Sequence, residues 1–140
     1  MSDTDLLEVE FLKIKLGKAT ALTLPLAPHI ALFTTMPAEN GTGGVEVSTS
    51  GTGYARQPAT AKYPTPSTGA VESGRVIVAN NVAIDFGTAT ANWGTIVGAA
   101  LMTTLTGGSA LSLTDDFAQV SVVNGQPVVF AIGSLIWKQG

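Results

Sequence analysis

The sequence predicts an all-β domain, a two-sheet β-sandwich or jelly roll of about eight short strands preceded by a short helix. Three observations carry this expectation. Apolar residues recur with period two or in brief continuous runs, and clusters of Gly, Pro, Asn and Asp separate those runs every ~8–12 residues. No internal repeat, heptad run or Gly-X-Y tract points to another architecture. The 140 residues read as one domain, with 1–17 as an N-terminal helix or arm and 38–53 as a Gly-rich surface loop. A chain of this length buries roughly 68% of its unfolded surface on folding, and so needs no disulfide or metal staple.

Taken in order, Thr4 or Asp5 can cap a helix, Glu8 stands three residues beyond Asp5, and Gly17 can end the helix in the left-handed conformation. Leu7, Phe11 and Ile14 share one helical face, with Leu12 and Leu16 beside it. Leu12-Lys13-Ile14-Lys15-Leu16 also alternates as a strand would, but the helix is favoured. Pro25 and Pro28 make 18–28 a connector or an edge. Residues 30–35, between Pro28 and Pro37, form the first buried strand.

A Gly-rich stretch follows, with Gly41, Gly43, Gly44, Gly51 and Gly53 among Thr and Ser. Glycine loses the most backbone entropy on ordering, so this stretch cannot be a packed helix. It carries at most a brief strand at Val45-Glu46-Val47, and 54–61 is a further strand candidate stopped by Pro64 and Pro66. Val76 and Val78, then Val82, Ile84 and Phe86, alternate around Asn80-Asn81, where a bulge or hairpin is expected. Strands are expected over 96–103, at Leu111 and Leu113, and over 120–123. Asn124-Gly125 is the strongest two-residue hairpin signal. Residues 128–132 and 135–137 close the set.

Chemistry is sparse. There is no cysteine and only one histidine, His29, which cannot build a zinc site without clustered carboxylates. Asp115-Asp116 is the one adjacent acidic pair; neighbours on a strand point to opposite faces, so a turn or capping role is expected. The glycines fit neither GxxxxGK[ST] nor GxGxxG in a βαβ unit. The serines have neither a nucleophile elbow nor a histidine partner. Asn40-Gly41-Thr42 matches a glycosylation acceptor by accident, since no secretory signal precedes it. The expectation is a protein without cofactor or metal, and not an enzyme.

The charged fraction is 12%, about half the ~25% of an ordinary soluble domain, and the net charge is −3. The seven basic residues are scattered, so no stripe is available to neutralise nucleic-acid phosphates. No apolar run approaches the ~20 residues of a membrane span. Too few charges to cover a free monomer, together with 45% apolar residues, point to an assembly in which much of the surface meets partners. Tyr54, Trp93 and Trp137 are core residues on the simplest view and interface anchors on the sharper one.

Four strings occur in an ordered series: Ala31-Leu32-Phe33-Thr34-Thr35, Gly43-Gly44-Val45-Glu46-Val47, Gly53-Tyr54-Ala55-Arg56-Gln57-Pro58 and Asn92-Trp93-Gly94-Thr95-Ile96. In that order they resemble a family of small tailed-phage virion proteins known as capsid cement or tail-fibre proteins. The similarity runs from about residue 30 to residue 136, and the Gly-Tyr-Ala-Arg-Gln string is its most specific part. The family's aromatic and aspartate after Trp-Gly-Thr are replaced here by Ala99-Ala100-Leu101-Met102.

The resemblance implies a jelly-roll sandwich on the outer surface of a phage capsid, cementing the shell by bridging neighbouring major capsid subunits. It implies a homo-oligomer, with a dimer favoured, and neither nucleic acid nor membrane as partner. The alternative is a small tail-fibre or tail-tip domain that binds a host receptor. Partner contacts are expected at Leu7, Phe11, Ile14, Tyr54, Arg56 and Trp137.

Overall fold

The computed structural model describes residues 3–22, 26–69 and 71–139. Among them are twelve short strands in several antiparallel sheets and one α-helix. Pro25, one of the two prolines expected to make 18–28 a connector or an edge, lies outside the described residues.

Helix α1 spans Asp5–Lys15 and begins at Thr4, whose hydroxyl accepts the Leu7 N–H at 3.5 Å and donates to the Ala110 carbonyl at 2.7 Å. Acidic Asp5 and Glu8 in the first turn and basic Lys13 and Lys15 in the last complement the helix dipole. Gly17, at φ +69°, lets the Gly17 N–H reach the Ile14 carbonyl and the Lys18 N–H reach the Lys13 carbonyl, the paired bonds of a Schellman stop. Both ends of the helix were therefore written in the local sequence.

The strands are β1 (His29–Thr35), β2 (Val45–Glu46), β3 (Gln57–Pro58), β4 (Val71–Glu72), β5 (Arg75–Ala79), β6 (Ile84–Thr88), β7 (Gly94–Ile96), β8 (Gly98–Met102), β9 (Ala110–Thr114), β10 (Val120–Val122), β11 (Pro127–Phe130) and β12 (Ile136–Gln139). Their pairing is nested. β8 pairs with β9, β7 with β10, β6 with β11 and β5 with β12, all antiparallel. The chain thus doubles back around residues 103–109 and retraces its own path strand by strand. β1 runs beside β8, with Ala31 opposite Ala100 and Phe33 opposite Gly98. A Cβ on Gly98 would stand 2.8 Å from the Thr114 carbonyl oxygen and closer still to Met36, so only glycine fits between these strands.

β1 is buried on both faces, as its unbroken apolar run suggested. Ile30 and Leu32 enter the larger core with Ile84, Phe86, Trp93, Ile96 and Leu135. Ala31 and Phe33 join Ala100, Met102 and Leu113 on the opposite side. The outer edge of β9 is closed by the N-terminal segment: the Thr4 N–H donates to the Leu111 carbonyl at 2.9 Å, and Asp3 bridges to Ser112. That closure shields an edge that could otherwise pair with another chain.

Several sequence expectations differ from the fold. Twelve strands replace about eight, because interrupted runs split and some strands have only two residues. The 54–61 strand shrinks to β3 followed by a 3-10 turn at Thr60–Lys62, since Pro58 has no N–H to continue the ladder. Asn80-Asn81 makes no hairpin, because β5 and β6 lie in different sheets. Asn80 is buried instead: its amide donates to the Val82 and Ala131 carbonyls at 2.9 and 3.0 Å and accepts the Leu135 N–H at 3.0 Å. Asn124-Gly125 does turn tightly, with the Gln126 N–H on the Val123 carbonyl, but it passes the chain from one sheet to another.

Candidate partner interface

The second half of the Gly-rich stretch is tied to the body of the protein. The Val47 N–H donates to the Leu32 carbonyl at 3.0 Å, and the Thr52 carbonyl accepts both the Thr90 N–H at 2.9 Å and the Trp93 indole N–H at 2.8 Å. Tyr54 then turns inward. Its ring stacks on Phe86 and meets Trp93 edge-on, with centroids 6.1 and 5.4 Å away. Its hydroxyl accepts the Leu32 N–H at 2.9 Å and donates to Glu46 Oε2 at 2.8 Å. Tyr54 thus supplies the acceptor that a strand would have offered in the gap between β2 and β3, both of which pair with β1.

Arg56 completes the centre. Nε donates to Glu46 Oε2 at 2.9 Å and Nη2 to Oε1 at 2.7 Å, while Nη1 donates to the carbonyls of Thr104 and Gly107 at 2.9 and 2.7 Å. One guanidinium therefore joins the end of the Gly-rich stretch, β2 and the β8–β9 turn. Burial, reinforced by the neighbouring Glu46 carboxylate, holds the Tyr54 hydroxyl far above its usual range. The Glu46 hydrogen bonds likewise raise Arg56. Arg56, Glu46, Phe33, Met102 and Gly44 help line a cleft of about 520 Å³. Charge and hydrogen-bonding capacity in this pair are turned inward, so it acts as a brace for the surrounding loops.

The expected contact residues consequently separate. Tyr54, Arg56, Trp137 and Leu7 are buried within the chain, and Phe11 is half-buried. Of the expected set, Ile14 is well exposed; Leu7, Phe11 and Ile14 lie along α1, Tyr54 and Trp137 belong to the larger core, and Tyr54 and Arg56 meet through Glu46. Sequence reasoning missed Glu46, although an opposite charge on the far side of the same loop was visible. It also missed the outward side of α1, where Leu6, Val9, Leu12 and Leu16 are exposed. Their face could be assigned only once Leu7 and the buried Glu10 were known to point toward the body.

Val129 of β11, and Val123 and Ile132 close to that strand in the sequence, are also exposed. Elsewhere, Asp116 is paired with Lys138 at 3.2 Å and His29 Nδ1 lies 3.1 Å from the Ala27 carbonyl. Among the described residues, no group of three or more His, Cys, Asp or Glu could hold a metal ion, and no helix is long and apolar enough to cross a membrane.

Residues 4–138 match the model of the family described as podophage GP4 fiber I protein gp80. The chain belongs to this family. It is therefore a structural protein of the bacteriophage virion, and in this chain the strings quoted above place Tyr54 and Trp93 in the larger core. A comparison with curated proteins finds no match.

Proposed function

We propose that this protein decorates the outside of the capsid, binding the major capsid protein and bridging neighbouring subunits as a homodimer. The observation that carries this is the pair of exposed apolar groups on a braced body: one along α1, which packs on β9, the other around β11, which pairs with β6. A bridge needs two contact surfaces, and many modest contacts of ~800 Å² per partner stabilise a shell through multivalency. The role is mechanical and not enzymatic, with no cofactor, nucleic acid or membrane involved. The nested pairing of β5 through β12 supports a jelly-roll sandwich, the shape expected of such a body.

The family description favours a second reading, a small tail-fibre or tail-tip domain that binds a host receptor. Copy number separates the two. Gently disassembled virions should yield hundreds of copies that fractionate with capsid shells. A few copies retained on purified tails would overturn the decoration role.

A further inference from the structure

The outward side of α1 is an apolar stripe on a helix of the wrong polarity for a free surface. Leu6, Val9, Leu12 and Leu16 are 37%, 49%, 56% and 70% exposed. Their spacing of three, three and four residues places them along one side of the helix, away from the body-facing Leu7 and Glu10. Glu10 is covered by the chain that returns after the helix, with Lys13 Nζ at 2.6 Å and the Ala21 N–H at 2.6 Å. Buried Leu7 and the hydrogen bonds of Thr4 to Ala110 and Leu111 seat the helix start on β9. The stripe is thus a fixed feature of the folded chain.

The charges beside it say what covers it. Glu8 and Lys15 are seven residues apart, two turns along the same flank of the stripe. When two copies of one helix lie antiparallel across a twofold axis, each flank meets the identical flank of its partner, running the other way. Glu8 of one copy then faces Lys15 of the other, and Lys15 faces Glu8. The same arrangement sets Val9 against Leu12 at the centre and Leu6 against Leu16 at each end. Charges bordering an apolar seam fix partner and orientation in helical pairs.

We propose that α1 is a self-association helix, packing antiparallel against α1 of a second copy. Two three-turn helices give a contact smaller than the ~800 Å² per partner of a standard interface, so the dimer is concentration-dependent in isolation. The inference deepens the bridging role by naming the surface through which two copies join, but it is tested without it: association is read on the isolated chain, capsid location on virions.

The test is sedimentation velocity of the full chain over a ~100-fold concentration range reaching ~100 μM, where weak interfaces of this kind are populated. Wild type should pass from monomer to dimer. Leu12→Glu should weaken dimerisation at least ~10-fold, a factor equivalent to about 1.4 kcal/mol. Glu8→Lys and Lys15→Glu should each weaken self-association, yet an equimolar mixture of the two should form a heterodimer tighter than either homodimer. Both residues are exposed, and circular dichroism should show unchanged folds. A wild-type chain that stays monomeric throughout overturns the proposal. So does a dimer that ignores Leu12→Glu, or charge variants that show no preference for each other.

Discussion

Arg56 and Glu46 face each other in a two-pronged pair, Nη2 to Oε1 at 2.7 Å and Nε to Oε2 at 2.9 Å. A fork of this kind, with Arg56 buried and Glu46 half-buried, is costly to break from one side, because the remaining partner keeps much of its desolvation without its counter-charge. Arg56→Met should therefore cost about 3 kcal/mol in urea unfolding. Glu46→Gln combined with Arg56→Met should cost less than the sum of the two single changes. Arg56→Lys should lose about 1–2 kcal/mol, since an ammonium cannot hold the fork and both loop carbonyls together.

Tyr54→Phe keeps the ring contacts with Phe86 and Trp93 but deprives the Leu32 N–H of its acceptor. A buried donor left unpaired should destabilise the protein by about 2 kcal/mol. Hydrogen exchange should locate the loss at the Leu32 amide. Fast exchange confined to some other strand would argue against the hydroxyl as the gap-filling acceptor.

Alkaline titration provides an independent check. The protein has two tyrosines, Tyr54 and Tyr63, and burial raises both hydroxyls well above the usual range. Above pH ~10 the unfolded chain releases these protons while the folded chain keeps them. Stability should therefore fall as pH rises past ~10, by up to about 1.4 kcal/mol per pH unit for each tyrosine. Phenolate absorbance should stay silent there until unfolding, then appear for both residues in one cooperative step.

Asn80→Asp should be among the more damaging single-atom-scale changes. A carboxylate cannot donate to the Val82 and Ala131 carbonyls that the amide now serves. A loss of about 3 kcal/mol is expected near neutral pH. The introduced carboxyl would have a raised folded-state pKa, so part of the loss should return as pH falls and it takes up a proton. Denaturant midpoints near pH 7 and pH ~4 measure both parts.

Local signals were legible to the extent that they were local. The Thr4 cap and Gly17 stop define α1 because each acts within a few residues. The period-two runs marked most strands, but periodicity says nothing about the neighbour. That is why Asn80-Asn81 and Asn124-Gly125 looked like hairpins while serving as passages between sheets. Tyr54 and Arg56 stood out as residues of importance, yet their direction, inward to Glu46 and Leu32, depends on contacts across 8 to 22 positions. The exposed side of α1 was illegible for the same reason. An amphipathic pattern gives the faces of a helix, and only the docked structure says which one the body takes.

The nested ladder also sets a timetable. One edge of β5 has a partner close in sequence, β4, with Val71 opposite Val76. The other edge waits for β12 some sixty positions further along, where Val76 is opposite Gln139 and Ala79 opposite Ile136. Distant pairings of this sort close late, after large losses of chain entropy. β12 must therefore be synthesised before the second edge of β5 is paired, and until then Val76 and Val78 lack their partners Gln139 and Trp137. The interval between synthesis and closure is the period of greatest exposure to aggregation.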